Sequence, residues 1–161
     1  MKRVVNRVLI VFSVILVATS VSCKKKCDLG EDATSGEIKT AVSVFSESGY
    51  ITASMSPDEY LINGNSNYAD NFKISKDKGI TKTAVDYTEY NILCYPMTVN
   101  CFAQFDRNVL IDDENGIIKY TIKVKDCGKC EEQRYIENFV AIRAVPDSYT
   151  VTYDVDIQTV D

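Results

Sequence analysis

The chain has 161 residues, 45% hydrophobic and 25% charged, a balance that excludes a disordered or fibrous protein and suits one globular domain. It contains neither histidine nor tryptophan, so histidine-ligated zinc sites, histidine-based triads and tryptophan-lined sugar platforms lose their usual key residue. Eighteen basic residues stand against 23 acidic ones, for a net charge of −5, but six of the basic residues precede Cys27; from there on twelve face 23, a net of −11. Such a surface repels phosphate backbones, and nucleic acid is not an expected partner.

The first segment reads as an address. Lys2, Arg3 and Arg7 give a cationic start, residues 8–18 are apolar except for Ser13, and Thr19, Ser20, Val21 and Ser22 make a small, mildly polar end. These are the three regions of a secretory signal over residues 1–22. The apolar run is shorter than the 20 or so residues that span a hydrocarbon core. With Cys23 directly after Val21 and Ser22, the segment resembles a bacterial lipoprotein precursor, although Ser20 stands where that family usually has an aliphatic residue. The resemblance covers only the leader. It implies lipid attachment at Cys23, a membrane partner through that lipid and, with Lys24 following, delivery to the outer membrane. Ordinary cleavage at Ser20-Val21-Ser22 is the alternative. The triplet Lys24, Lys25 and Lys26 suits an anionic membrane surface, at about 1 kcal/mol per cation, or a solvated spacer.

Small and acidic residues over 28–36 complete a flexible tether expected over residues 23–36. A single domain is expected over 37–161. There the period of two that marks β-strands takes over, starting with Ile38, Thr40, Val42 and Val44 on one face, then a turn at 46–49 and a return strand over 50–55. Residues 56–78 form a polar middle, read as loops around a short strand at Tyr60, Leu61 and Ile62. A weak strand is expected over 79–85. Tyr90, Ile92 and Cys94 alternate in a stronger one that Pro96 stops or bends. Val99, Cys101, Ala103 and Phe105 share the next face. The clearest hairpin joins Val109, Leu110 and Ile111, through a turn ending in Asn115-Gly116, to Ile118, Tyr120, Ile122 and Val124. A last hairpin is expected to join 139–145 to a strand carrying Tyr149, Val151, Tyr153, Val155 and Ile157 on one face. Short alternating strands without a long helical period predict an all-β fold, an antiparallel β-sandwich of immunoglobulin-like architecture, with a small β-barrel as the alternative.

Chemistry centres on six cysteines. If Cys23 carries lipid, five thiols remain and one is left over; if it does not, six can form three bridges. In an exported protein, disulfides among Cys94, Cys101, Cys127 and Cys130 are the default, each contributing about 2–4 kcal/mol. Cys27, in the tether, is the natural odd one out. The Cys127-Gly128-Lys129-Cys130 motif admits a second reading as a redox pair, with residues 131–139 as a short helix whose N-terminus lowers the thiolate pKa. Yet Asp126 replaces the aromatic residue usual before such a motif, and a β-hairpin follows. A four-thiolate zinc site from Cys94, Cys101, Cys127 and Cys130 suffers from the wide Cys94–Cys101 spacing. Asp112, Asp113, Glu114 and Asn115 offer calcium-type oxygens, but without the alternating spacing of an EF-hand.

No metal or cofactor is expected, and no residue pair stands in a recognisable catalytic arrangement, so an enzyme is not expected. The reading is an exported, lipid-anchored cell-envelope protein whose disulfide-braced sandwich binds a protein or surface ligand or plays a structural part. Its contact surface falls in the polar middle, at Tyr60, Asn63, Asn65, Asn67 and Tyr68. A surface assembly or adhesion subunit pairing through the last strand is a further alternative.

Overall fold

The computed structural model describes residues 27–100, 102–128 and 132–160. Twelve strands and three short 3-10 segments make up the described chain, without an α-helix among the described residues. The strands are β1 (Ala33–Gly36), β2 (Ser43–Ser46), β3 (Leu61–Ile62), β4 (Phe72–Ser75), β5 (Thr83–Ala84) and β6 (Tyr90–Leu93). They continue with β7 (Met97–Asn100), β8 (Ala103–Asp112), β9 (Ile117–Cys127), β10 (Gln133–Ile136), β11 (Val140–Arg143) and β12 (Thr150–Val160). They form an all-β sandwich of three antiparallel sheets and one larger mixed sheet, and no sheet of the described residues closes into a barrel.

One layer is the sheet β1-β8-β9-β12. Its centre is the β8–β9 hairpin, with Ile111 opposite Ile118 and Val109 opposite Tyr120, as the alternation predicts. In the turn, Gly116 takes φ 63°, a left-handed conformation that glycine adopts without steric cost. The Asp112 carboxylate accepts the Glu114 and Asn115 backbone N–H groups, both at 3.1 Å, and the Asn115 amide at 2.7 Å.

The facing layer is formed by β10 beside β7 and by β11 beside β6 and β3. Gln133 lies opposite Asn100 and Val140 opposite Leu93, so both ladders belong to one antiparallel register interrupted at its middle. Pro96, which lacks a backbone donor, falls at that interruption. Across it Asn138, buried and at φ 32°, donates from Nδ2 to the Tyr95 carbonyl at 3.2 Å and accepts Arg107 at its Oδ1. The main core fills the space between the layers: Val109, Ile118, Tyr120, Ile122 and Val124 face Leu93, Met97, Val99, Val140 and Ile142. A second cluster, with Met55, Tyr60, Ile62, Phe72, Ile92 and Cys94, lies beneath the polar middle.

Several pairings differ from the local expectation. The return strand over 50–55 does not form: Ile51–Ser54 is a 3-10 turn, and β2 pairs instead with β4, which buries Phe72 and Ile74. Residues 133–136 are a strand rather than part of a helix, because β7 offers them an open ladder. The last hairpin is split between layers. β11 pairs with β6, while β12 crosses over and runs parallel to β9 for eleven residues, Thr150 opposite Ile117 through Val160 opposite Cys127.

The tether expected over 23–36 ends at Cys27 as far as the described residues go, since 27–36 belong to the fold. β1 lies parallel to β8, and Asp32 accepts the Phe105 N–H and the Arg107 guanidinium, each at 3.0 Å. A Cβ at Gly36, φ 70°, would overlap the Val109 carbonyl oxygen, so only glycine permits this approach.

Candidate functional site

The thiol chemistry resolves away from catalysis at the positions described. Cys127, at the end of β9, is bonded to Cys27, with Cα atoms 5.8 Å apart and 100 residues between the two positions. Cys27 is therefore not the odd cysteine. Cys127 does not pair with Cys130, as a redox motif requires, nor does it offer a thiolate to zinc. Cys94, expected in a disulfide, is a free and fully buried thiol. Its burial pushes the thiol pKa far up, which removes the thiolate needed for nucleophilic or metal chemistry. Cys23, Cys101, Lys129 and Cys130 lie outside the described residues, as do the leader and the lysine triplet. In the acidic turn the Asp112 carboxylate caps its own turn, and Asp113 accepts Tyr149 Oη at 2.8 Å and the Arg143 guanidinium.

Besides a cleft of about 490 Å³ near Cys27, Asn100 and Phe105, the described surface carries an open cleft of about 560 Å³ at the end of the sandwich where β12 begins. One wall is the polar middle, with Asp58, Glu59, Leu61, Asn63, Asn65, Asn67 and Tyr68; the other is the segment Asp147 to Tyr153. Local chemistry shapes the first wall. Ser56 and Glu59 form a reciprocal capping box around the 3-10 segment Pro57–Glu59. Asn63 folds its own loop, accepting the Asn65 N–H at 2.9 Å while Ser66 Oγ accepts the Asn63 N–H at 3.0 Å, the turn-forming habit of asparagine.

Asp147 then ties the walls together. Its two carboxylate oxygens accept the side-chain amides of Asn63 and Asn65 at 2.9 and 2.8 Å. These two asparagines therefore serve as clamps, whereas the exposed Asn67 amide has no partner among the described residues. Tyr68 donates to the Ser54 carbonyl at 2.8 Å. With its hydroxyl and that of Tyr149 engaged, both residues line the cleft mainly with ring surface.

Tyr60 does not line this cleft. It is buried beneath it, edge-on to Tyr95 and Tyr153 at centroid distances of 6.2 and 6.1 Å, because a ring in the second core removes more apolar area from water than one at the surface. Burial raises the Tyr60 and Tyr153 hydroxyl pKa values, and the buried Tyr153 hydroxyl has no hydrogen-bond partner. Of the residues predicted for the contact surface, Asn63, Asn65, Asn67 and Tyr68 come together. Asp58 and Glu59 fall within the expected polar middle, whereas Asp147 and the start of β12 were not expected as contributors. A polar turn at 146–148 is visible locally, but its meeting with a loop more than 80 residues earlier is not.

Among the described residues no group of three histidine, cysteine or acidic side chains is arranged to hold a metal ion. No protein-family model, no curated protein and no solved structure matches the chain.

Proposed function

We propose that this protein is an exported, lipid-anchored component of a bacterial cell envelope whose β-sandwich is a non-catalytic binding module, with the end cleft as its contact surface. The observation that carries the binding reading is the cleft itself. Two polar segments distant in sequence are clamped by Asp147 into one open groove of about 560 Å³, and loops held by a rigid sandwich are where such folds carry recognition.

The anchoring reading rests on the leader and on Cys23, and the disulfide bears on which end of the sandwich such an anchor would hold. Cys127 and Val160 end their strands together, opposite the Ile117 and Thr150 end where the cleft lies. At about 3.3 Å per residue, the eleven residues of β12 separate the two ends by roughly 33 Å. Cys23 precedes Cys27 by four residues, a reach of at most about 14 Å. A lipid on Cys23 therefore holds the Cys127 end toward the membrane and turns the cleft away from it.

The test uses the full chain purified in detergent and applied to envelope preparations of the producing cell. An N65W variant, which fills the cleft, is expected to lose retention, while I80W on an exposed surface elsewhere retains it. Equal retention of both variants overturns the cleft as contact surface. An intact mass without a lipid adduct on Cys23 overturns the anchor.

A further inference from the structure

Among the described residues the last strand has an unpaired edge beside the cleft. Thr150 donates its N–H to the Gly116 carbonyl at 3.0 Å, and Val160 accepts from the Gly128 N–H at 2.9 Å. In the parallel register with β9, these two bonds mean that Thr150, Thr152, Asp154, Asp156, Gln158 and Val160 direct their backbone groups to β9. The N–H and C=O groups of Val151, Tyr153, Val155, Ile157 and Thr159 accordingly point the other way, along the outer edge of the sheet. β12 is the last strand of that sheet, and no described residue hydrogen-bonds to these groups. Val151 and Tyr153, at the start of this free edge, also line the cleft. The groove therefore has an open strand edge as one wall and Leu61 and the Tyr68 ring on the other.

We propose that this edge receives an extended cationic peptide segment of a partner protein, added as a further strand antiparallel to β12. The proposal rests on the cleft reading and names the class of its ligand. An added strand satisfies the idle backbone groups, and antiparallel addition gives the better-aligned hydrogen bonds. Its charge follows from the surroundings. Asp58 and Glu59 line the cleft, Asp154 and Asp156 alternate along the exposed face of β12, and the chain from Cys27 onward carries −11. Lys119 neutralises Asp154 across a 3.0 Å ion pair and Lys123 stands opposite Asp156 in the register, whereas Asp58 and Glu59 in the cleft have no ion-pair partner among the described residues. A second copy of this chain fits less well. Antiparallel pairing of two β12 strands over their whole length, about Val155, sets Asp154 of each copy opposite Asp156 of the other, and like charges directly opposite destabilise a sheet.

The probe is a synthetic undecapeptide of alternating lysine and valine that begins and ends with lysine, so that its five valines stand opposite Val151, Tyr153, Val155, Ile157 and Thr159 of the eleven-residue strand. It is capped at both ends and titrated into the full chain in detergent by calorimetry at low salt. Antiparallel addition uses the valine N–H groups, so methylating those amides is expected to weaken binding at least tenfold at unchanged charge. A glutamate-valine peptide is expected not to bind. On the protein, I157P removes one outward N–H while leaving the ladder to β9 intact, as proline on an edge strand permits, and is expected to weaken binding at least tenfold. T159P is the second variant if I157P melts early. If the valine-methylated peptide binds as tightly as the unmethylated one, simple charge attraction explains the binding and the edge proposal fails. If no lysine-valine peptide binds while the cleft still retains envelope material, the peptide assignment fails and the cleft reading stands. Concentration-dependent dimerisation that I157P abolishes assigns the edge to a second copy and overturns the proposed partner.

Discussion

Removing the Cys27–Cys127 bridge tests the central structural assignment most directly. The bridge closes a loop of about 100 residues. For such a loop, chain entropy gives a stabilisation of about 4.7 kcal/mol at 25 °C, chiefly by restricting the unfolded ensemble. A paired C27S and C127A variant deletes the cross-link while leaving the β-ladders in place. With a urea m-value of about 2 kcal/mol per molar, the midpoint is expected to fall by roughly 2 M. The assay is equilibrium urea unfolding followed by circular dichroism under non-reducing conditions, alongside a peptide map of the wild type. A map joining the Cys27 and Cys127 peptides, with a midpoint loss near 2 M, is the expected result. A bridge from Cys127 to Cys130 closes a loop of only two intervening residues and leaves residues 27–32 held by far less. A map showing that bridge, or a midpoint loss below about 0.5 M, refutes the reasoning.

Cys94 is expected to resist iodoacetamide at pH 8 in the folded protein and to react once urea unfolds it, since burial holds its thiol well above the ordinary range; peptide-level mass spectrometry reads this, and rapid labelling of the native protein contradicts its burial. I122A empties part of a fully buried site between the layers and is expected to cost about 3 kcal/mol in urea unfolding, within the range for Ile→Ala in cores. Asp77 is held at about 2, below its usual 3.8, by the Ser75 hydroxyl first and then by Thr81. Because the folded pKa is the lower one, this contribution is complete above about 3.8 and disappears as pH falls through about 2. The difference in melting temperature between wild type and D77A is therefore expected to be level above pH 5 and to shrink toward pH 2. A difference that grows on acidification contradicts the assignment.

The all-β class and the β8–β9 hairpin were legible because both are written in local terms. Ile118, Tyr120, Ile122 and Val124 alternate with Lys119, Thr121, Lys123 and Lys125, and the turn ends in Asn115-Gly116, so face and register follow from neighbouring residues. The alternation of β12 was equally plain: its exposed residues include Thr150, Thr152, Asp154 and Asp156, with Val151, Tyr153 and Val155 turned partly inward. Asn63, Asn65, Asn67 and Tyr68 were legible as a surface because a dense asparagine loop cannot bury its amides without partners.

Partner choice was not legible, since a period of two says which face of a strand is buried but not which strand lies beside it. Only the tertiary structure decided that β12 leaves β11 and runs parallel to β9, that β2 pairs with β4, and that Asp147 clamps Asn63 and Asn65. Tyr60 looked like a contact residue among polar neighbours, and only packing against Tyr95 and Tyr153 assigns it to the core. The cysteines make the same point. Their number restricts the connectivities without selecting one, and the selection of Cys27 for Cys127 depends on β1 docking along β8, which brings a segment that reads locally as a tether to the far end of β9. Local sequence carries periodicity and turn chemistry, whereas pairing between distant segments is settled by the burial and hydrogen bonding available when all the strands compete for the same partners.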